Sequence, residues 1–124
     1  MLQADILLEF GQYPFLRLWR QNTGMAYGVS LVKEASGHLF SGNLERAMKA
    51  MRSMVPTRYG VPGTADIMGI FRGGRSLAIE CKLYGEQPSE EQVNWRAMFE
   101  DYGGLYILAN QVMDVYQGLV SGMC

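Results

Sequence analysis

Two apolar runs, residues 67–71 and 76–83, stand either side of Arg72-Gly73-Gly74-Arg75. Gly-Gly between such runs is a strong hairpin signal, because glycine adopts the left-handed backbone that tight reversals need. The second run, Leu77-Ala78-Ile79-Glu80-Cys81-Lys82-Leu83, carries charge where apolar residues dominate. Period-two geometry puts Glu80 and Lys82 on one face, and Ile79, Cys81 and Leu83 on the other. An acid and a lysine on one face of a central strand are expensive unless they have a task. Asp66 opens the first run, directly after a Gly/Pro-rich loop. Carboxylates of this kind suit Mg²⁺ or Mn²⁺, which bind a few acids, water and substrate phosphates. A lysine two residues along could orient or deprotonate a metal-activated water. The same residues also fit a buried Glu–Lys ion pair, or an edge strand with one wet face.

The hairpin register decides whether Asp66 can join Glu80. A clean two-residue loop at Gly73-Gly74 pairs Arg72 with Arg75 and sets Asp66 opposite Cys81. Paired residues share a face, so Asp66 would then point away from Glu80. A common site requires a one-residue offset, from a three-residue loop or a bulge.

The rest of the chain reads as alternating elements. Leu2, Ile6 and Phe10 recur at i, i+4, i+8 and predict a helix over 2–12, ended by Gly11 and Pro14. Residues 15–20 alternate as a strand, with Leu16 and Leu18 on one face and Arg17 and Trp19 on the other. Residues 26–33 are expected to form a further strand, and Ser36-Gly37 a turn that also holds His38, the only histidine. Residues 43–54 suit a helix capped by Asn43, with Leu44, Ala47, Met48 and Met51 as its apolar stripe. Residues 57–66 are expected to be a loop. Ser89 and Gln92 form a capping-box pattern that opens a helix running to about Tyr102. Gly103-Gly104 stops it, 105–109 is a short buried strand, and 111–121 a last helix. This order is an α/β domain, a central mixed sheet flanked by helices.

Length and charge narrow the function. A chain of 124 residues fits one compact domain. Its 48% hydrophobic and 19% charged residues are ordinary globular values, which excludes disorder, collagen and coiled coil. No apolar run approaches the roughly 18–20 residues of a membrane span. The first ten residues carry two acids and no basic region, so a secretory signal is not expected. Two cysteines, Cys81 and Cys124, are too few for a disulfide scaffold or a cysteine-based zinc site, which points to a reducing, cytoplasmic setting. Cys81 and the Met48, Met51 and Met54 group read as packing residues. A net charge of -1 disfavours coating of nucleic acid by bulk positive charge, and leaves local basic patches or a bound metal to attract it.

These residues together carry a resemblance. Gly63-x-x-Asp66, Glu80-x-Lys82, Gln92 with Trp95, and Gly103-Gly104 before a strand follow one another in order. Residues 58–109 thereby resemble the VRR-NUC domain, a branch of the PD-(D/E)XK nuclease superfamily. Upstream, Leu18-Trp19-Arg20-Gln21-Asn22-Thr23-Gly24 is similar to the family's strand and Arg-Asn turn. The resemblance implies a restriction-endonuclease-like core over 1–124 and phosphodiester cleavage in DNA with Mg²⁺ or Mn²⁺. It implies that Asp66 and Glu80 hold metal, that Lys82 assists the nucleophile and that Gln92 supports the site. The family's further acid on the first helix falls on Asp5 or Glu9, which lie at i, i+4. The small size resembles stand-alone phage and prophage versions, related to Holliday-junction resolvases. That implies a homodimer acting on branched DNA in the bacterial cytoplasm. The alternative is a non-catalytic DNA-binding module that kept the fold. Arg17, Arg20, Asn22, Arg58 and Tyr59, with Arg46, Lys49 and Arg52 on the middle helix, are the candidates for contact with phosphates or bases. Each also fits an ordinary surface position.

Overall fold

The computed structural model describes residues 1–21, 24–26, 29–53 and 57–123, with the backbone alone for 24–26, 29–32 and 57–59. The chain divides into two compact units, residues 1–22 with 61–124, and residues 23–60.

The first unit is built on a four-stranded mixed sheet. Its strands are β1 (Leu16–Arg20), β4 (Ile67–Phe71), β5 (Ser76–Cys81) and β6 (Leu105–Ala109), in the spatial order β1-β4-β5-β6. β1, β4 and β5 are antiparallel neighbours, and β6 runs parallel to β5. Helices α1 (Leu2–Phe10) and α5 (Val112–Gly122) cover one face. There Ile6 and Phe10 of α1 and Val115 and Leu119 of α5 close over Leu16, Ile67, Leu77, Ile79 and Ile107. This is the stripe that the Leu2, Ile6, Phe10 spacing predicts. Helix α4 (Glu90–Asp101) covers part of the opposite face, where Phe99 and Trp95 pack on Ala65, Ala78, Tyr106 and Met68. The expected α/β class and mixed sheet with flanking helices are what the chain adopts.

The hairpin between β4 and β5 uses three loop residues. Phe71 N–H donates to the Arg75 carbonyl at 2.8 Å, and Gly74 N–H donates back to the Phe71 carbonyl at 2.9 Å. Arg72, Gly73 and Gly74 thus form the reversal, with Gly73 and Gly74 at φ +104° and +101°, where side chains are strongly disfavoured. The register runs Ile70↔Ser76, Gly69↔Leu77, Met68↔Ala78, Ile67↔Ile79. One step further, Asp66 stands opposite Glu80.

The second unit departs from the sequence reading. Its strands β2 (Gly24–Ala26) and β3 (Thr57–Tyr59) pair antiparallel, and helices α2 (Val29–Phe40) and α3 (Leu44–Arg52) lie between them in sequence. The expected strand over 26–33 is therefore mostly helix. A short apolar run is compatible with either state, and the helix continues through Ser36-Gly37, which is not a turn. Ala35 is buried on this helix, and a mid-helix glycine costs only about 1 kcal/mol against alanine. The helix takes in His38 in its last turn. The expected loop over 57–66 begins instead at Gly60, because the distant segment 24–26 supplies β3 with a ladder partner. Asn43 caps α3 as expected, its side chain accepting from Arg46 N–H at 3.0 Å. The buried face of α3 is Ala47 and Ala50, whereas Leu44, Met48 and Met51 are exposed. The small residues allow close helix approach, so the larger side chains are left outside. Met54 lies outside the described residues.

Helix α1 should therefore behave as a core element with one wet face. Phe10→Ala is expected to cost about 3–5 kcal/mol in urea unfolding, the usual range for removing a buried phenylalanine. Leu8→Ala, on the exposed face of the same helix, should stay within about 0.5 kcal/mol.

Candidate functional site

Asp66 and Glu80 form an acidic pair at one end of the hairpin. The three-residue loop supplies the one-residue offset and turns both carboxyls to the face that carries α4. Glu80 is only 4% exposed, and its carboxyl interacts with Asp66 by charge and by hydrogen bonding. Its Oε1 accepts from the Gln92 side-chain amide at 3.1 Å. Asp66 Oδ2 accepts from the Cys81 backbone N–H at 3.0 Å, which ties the aspartate across the hairpin. The Asp66 carbonyl accepts from Gln21 N–H at 2.8 Å, extending the sheet to the outer strand at this level.

Gln92 reaches Glu80 because α4 begins where it does. Ser89 Oγ accepts from Gln92 N–H at 3.2 Å, and Gln92 Oε1 accepts from Ser89 N–H at 2.9 Å. The capping box fixes the side chain through its oxygen and leaves its amide free to donate to Glu80. Gly63 sets the loop against the same helix start. It has φ +83°, and a Cβ there would collide with the Glu91 carbonyl. Gly63 thus lets the loop backbone approach the start of α4.

Lys82 is half-buried, shares a face with Glu80 and lowers the glutamate's pKa through its charge. Its backbone N–H donates to the Ala109 carbonyl at 3.0 Å, and its carbonyl accepts from Asn110 Nδ2 at 2.9 Å. Asn110 is held in turn by Asp114, whose Oδ2 accepts from Asn110 N–H at 2.8 Å and Gln111 N–H at 3.1 Å. Sequence reasoning missed these two supports. The available signal was an Asn and an acid at the strand-to-helix junction, where such residues satisfy open backbone donors.

Burial, followed by the neighbouring Asp66 charge, pushes Glu80 from the ordinary 4.5 up to about 8, against the opposing pull of Lys82. Burial, with the same two acids, pushes the Cys81 thiol up to about 12, in keeping with an inert packing cysteine.

The remaining predicted residues lie elsewhere. Among the described residues no group of three or more His, Cys, Asp or Glu side chains is placed to hold a metal ion. Asp5 faces the N-terminal ammonium at 3.8 Å and is mostly exposed. Glu9 accepts a hydrogen bond from the Tyr116 hydroxyl. Both acids share a helix surface as expected, but the packing of α1 against α5 commits Glu9 to that junction. Arg17 and Arg20 are exposed on β1. Arg46, Lys49 and Arg52 are exposed on α3 in the second unit. Asn22 lies outside the described residues, as do the side chains of Arg58 and Tyr59. His38 pairs with Glu34 at 3.7 Å, an ordinary helix i,i+4 contact.

The donor set fits a hard divalent cation. Mg²⁺ commonly binds one or two carboxylates and keeps several waters, so a pair suffices. The Glu80 and Asp66 carboxyls lie within hydrogen-bonding reach of one another, so both offer oxygens to one small space. No family model, curated protein or solved structure matches this chain, so the site is read from its own chemistry.

Two outcomes follow. The folded chain binds the Glu80 proton more tightly than the unfolded chain, so this group's stabilising contribution is complete below about pH 4.5 and is lost as pH rises through about 8. In chelator, the unfolding free energy should carry that decline, and Glu80→Gln, which keeps the shape without ionising, should flatten it. Gly63→Ala should cost about 1–3 kcal/mol through overpacking, more for the strained φ, and weaken the Gln92–Glu80 contact. Urea unfolding and the Gln92 side-chain amide resonances report the two effects.

Proposed function

We propose that this chain is a metal-dependent DNA endonuclease with a PD-(D/E)XK core of the VRR-NUC type. The observation that carries the reading is the Asp66–Glu80 pair, in which a buried Glu80 carboxyl interacts with Asp66 and with the Lys82 charge on one sheet face. The order Asp, Glu-x-Lys, Gln supports it, because the four residues converge although 26 positions separate Asp66 from Gln92. The favoured substrate is branched DNA and the favoured assembly a homodimer, whose two symmetric sites would cut two strands. A cytoplasmic site of action, in a bacterial cell that carries a phage or prophage, belongs to the same reading.

Asp66 and Glu80 would hold Mg²⁺ or Mn²⁺. When bound, such an ion neutralises charge on the phosphoryl oxygens and lowers the pKa of a coordinated water. Glu80 would have to ionise to serve as a ligand, so any cation binding there would be coupled to release of its proton. Gln92 holds the Glu80 carboxyl at one rotamer through the 3.1 Å bond. Lys82 donates from its ammonium toward the attacking oxygen and orients it. With a net charge of -1, affinity for DNA comes from local groups, among which Arg46, Lys49 and Arg52 form an exposed basic helix surface.

Labelled four-way, flap and linear DNA incubated with Mn²⁺ test the reading. Glu80→Gln should abolish cleavage and Mn²⁺ binding by calorimetry while keeping the fold. Lys82→Ala should bind DNA but cut about 10²–10⁴-fold more slowly under single turnover, the scale of a positioned proton-transfer group. Metal-independent binding without any cleavage by the wild-type chain would instead identify a DNA-binding module on this fold.

A further inference from the structure

Within the first unit, α4 covers only part of the sheet face that carries the acidic pair. Trp95 and Phe99 of α4 pack over Ala78, Tyr106 and Met68. Beyond them, Trp19 on β1 is 45% exposed and Ile70 on β4 is 42% exposed. The register places Trp19 beside Met68 and Arg17 beside Ile70, while Gln21 bonds to Asp66 at the next level. One face therefore carries, in order along β1, Arg17, Trp19 and Gln21, with Asp66 and Glu80 alongside the last.

The two tryptophans are used differently. Trp95 stacks on Phe99 with ring centroids 4.9 Å apart and an interplanar angle of 14°. Trp19 has no ring partner among the described residues, and Arg17 makes no ion pair with any of them. An exposed indole beside an unpaired guanidinium, one level from a cation site, fits a chain that alternates flat π-faces with anions. Two residues of strand span about 7 Å, within the reach of a single nucleotide. Double-stranded DNA keeps its bases stacked inside and offers no π-face to a ring on a sheet, whereas an unpaired base does. A second copy is a poorer occupant, because two arginines on the five-residue edge strand oppose strand addition.

We infer that Trp19 is a stacking platform for an unpaired nucleobase next to the phosphate that a divalent cation at Asp66 and Glu80 would hold, with Arg17 taking the phosphate beyond it. The inference rests on the nuclease reading and narrows its substrate to DNA with single-stranded nucleotides adjoining the cut. Branched and flapped DNA present such nucleotides, and blunt duplex does not.

The test uses the full chain with fluorescein-labelled oligodeoxythymidine, a forked duplex and a blunt duplex, with Ca²⁺ supplied for binding and Mn²⁺ for cleavage. Trp19→Ala should weaken binding to the single strand and the fork by about 5- to 150-fold, the equivalent of the ~1–3 kcal/mol measured per stacked base. Blunt-duplex binding should be unchanged. Trp19→Phe should recover most of the loss, and the urea midpoint of both variants should match wild type. Equal losses on all three DNAs, or none, overturn the platform. So does a wild-type dimer that Trp19→Ala dissociates in sedimentation, which would make this face an interface between copies. Wild-type cleavage that needs Glu80 but ignores Trp19 removes the platform alone. A wild-type chain that neither binds nor cuts any of the DNAs removes the nuclease reading with it.

Discussion

The opposition of Asp66 and Glu80 across one hairpin is the constraint on which the rest of the site depends. It exists because three residues, not two, make the reversal at Arg72-Gly73-Gly74. Side chains alternate across a sheet, so one residue fewer would turn Asp66 toward the α1–α5 core and leave Glu80 alone on the far face. Glycines at φ +104° and +101° make this loop possible. The chemistry at one end of the hairpin is thus set by backbone geometry at the other.

Setting a buried Glu80 against a half-buried Asp66 carries a cost that the fold meets only in part. Desolvation and the neighbouring Asp66 charge push Glu80 toward its neutral form, and one oxygen accepts from Gln92. The carboxyl's other close interaction is with Asp66, by charge and by hydrogen bonding. This arrangement differs from a purely structural ion pair, in which Lys82 would close on Glu80 and complete its bonding. Gln92 belongs both to the helix cap and to the acid, so the start of α4 and the orientation of Glu80 are mechanically one feature. Gly63 completes the coupling by bringing the loop before Asp66 against the same helix turn.

Much of this was legible in the residues. The α1 stripe, the capping box at Ser89 and Gln92, the hairpin and the short β6 are local patterns, each decided within about a turn or a strand of sequence. Glu80 and Lys82 stood out because charge interrupts an apolar run. The helix over 29–40 departs from the strand reading because a short apolar run fits either state, and Ala35 is buried on the helix. Strand β3 was invisible because its partner lies more than thirty positions away. The first-helix acids were placed on a plausible surface, but which neighbour each would meet depends on how α1 docks, and Glu9 meets Tyr116.

The sequence by itself determined the class of fold, the order of most elements and the chemical identity of the acidic pair, because periodicity and capping act between near neighbours. Tertiary structure alone decided that Asp66 and Glu80 share a face, that Gln92 donates to Glu80, and that Asp5 and Glu9 stand apart. It also decided that Trp19 stays exposed beside the site. These outcomes depend on register and on which surfaces meet, and both are settled by long-range burial that no local pattern encodes.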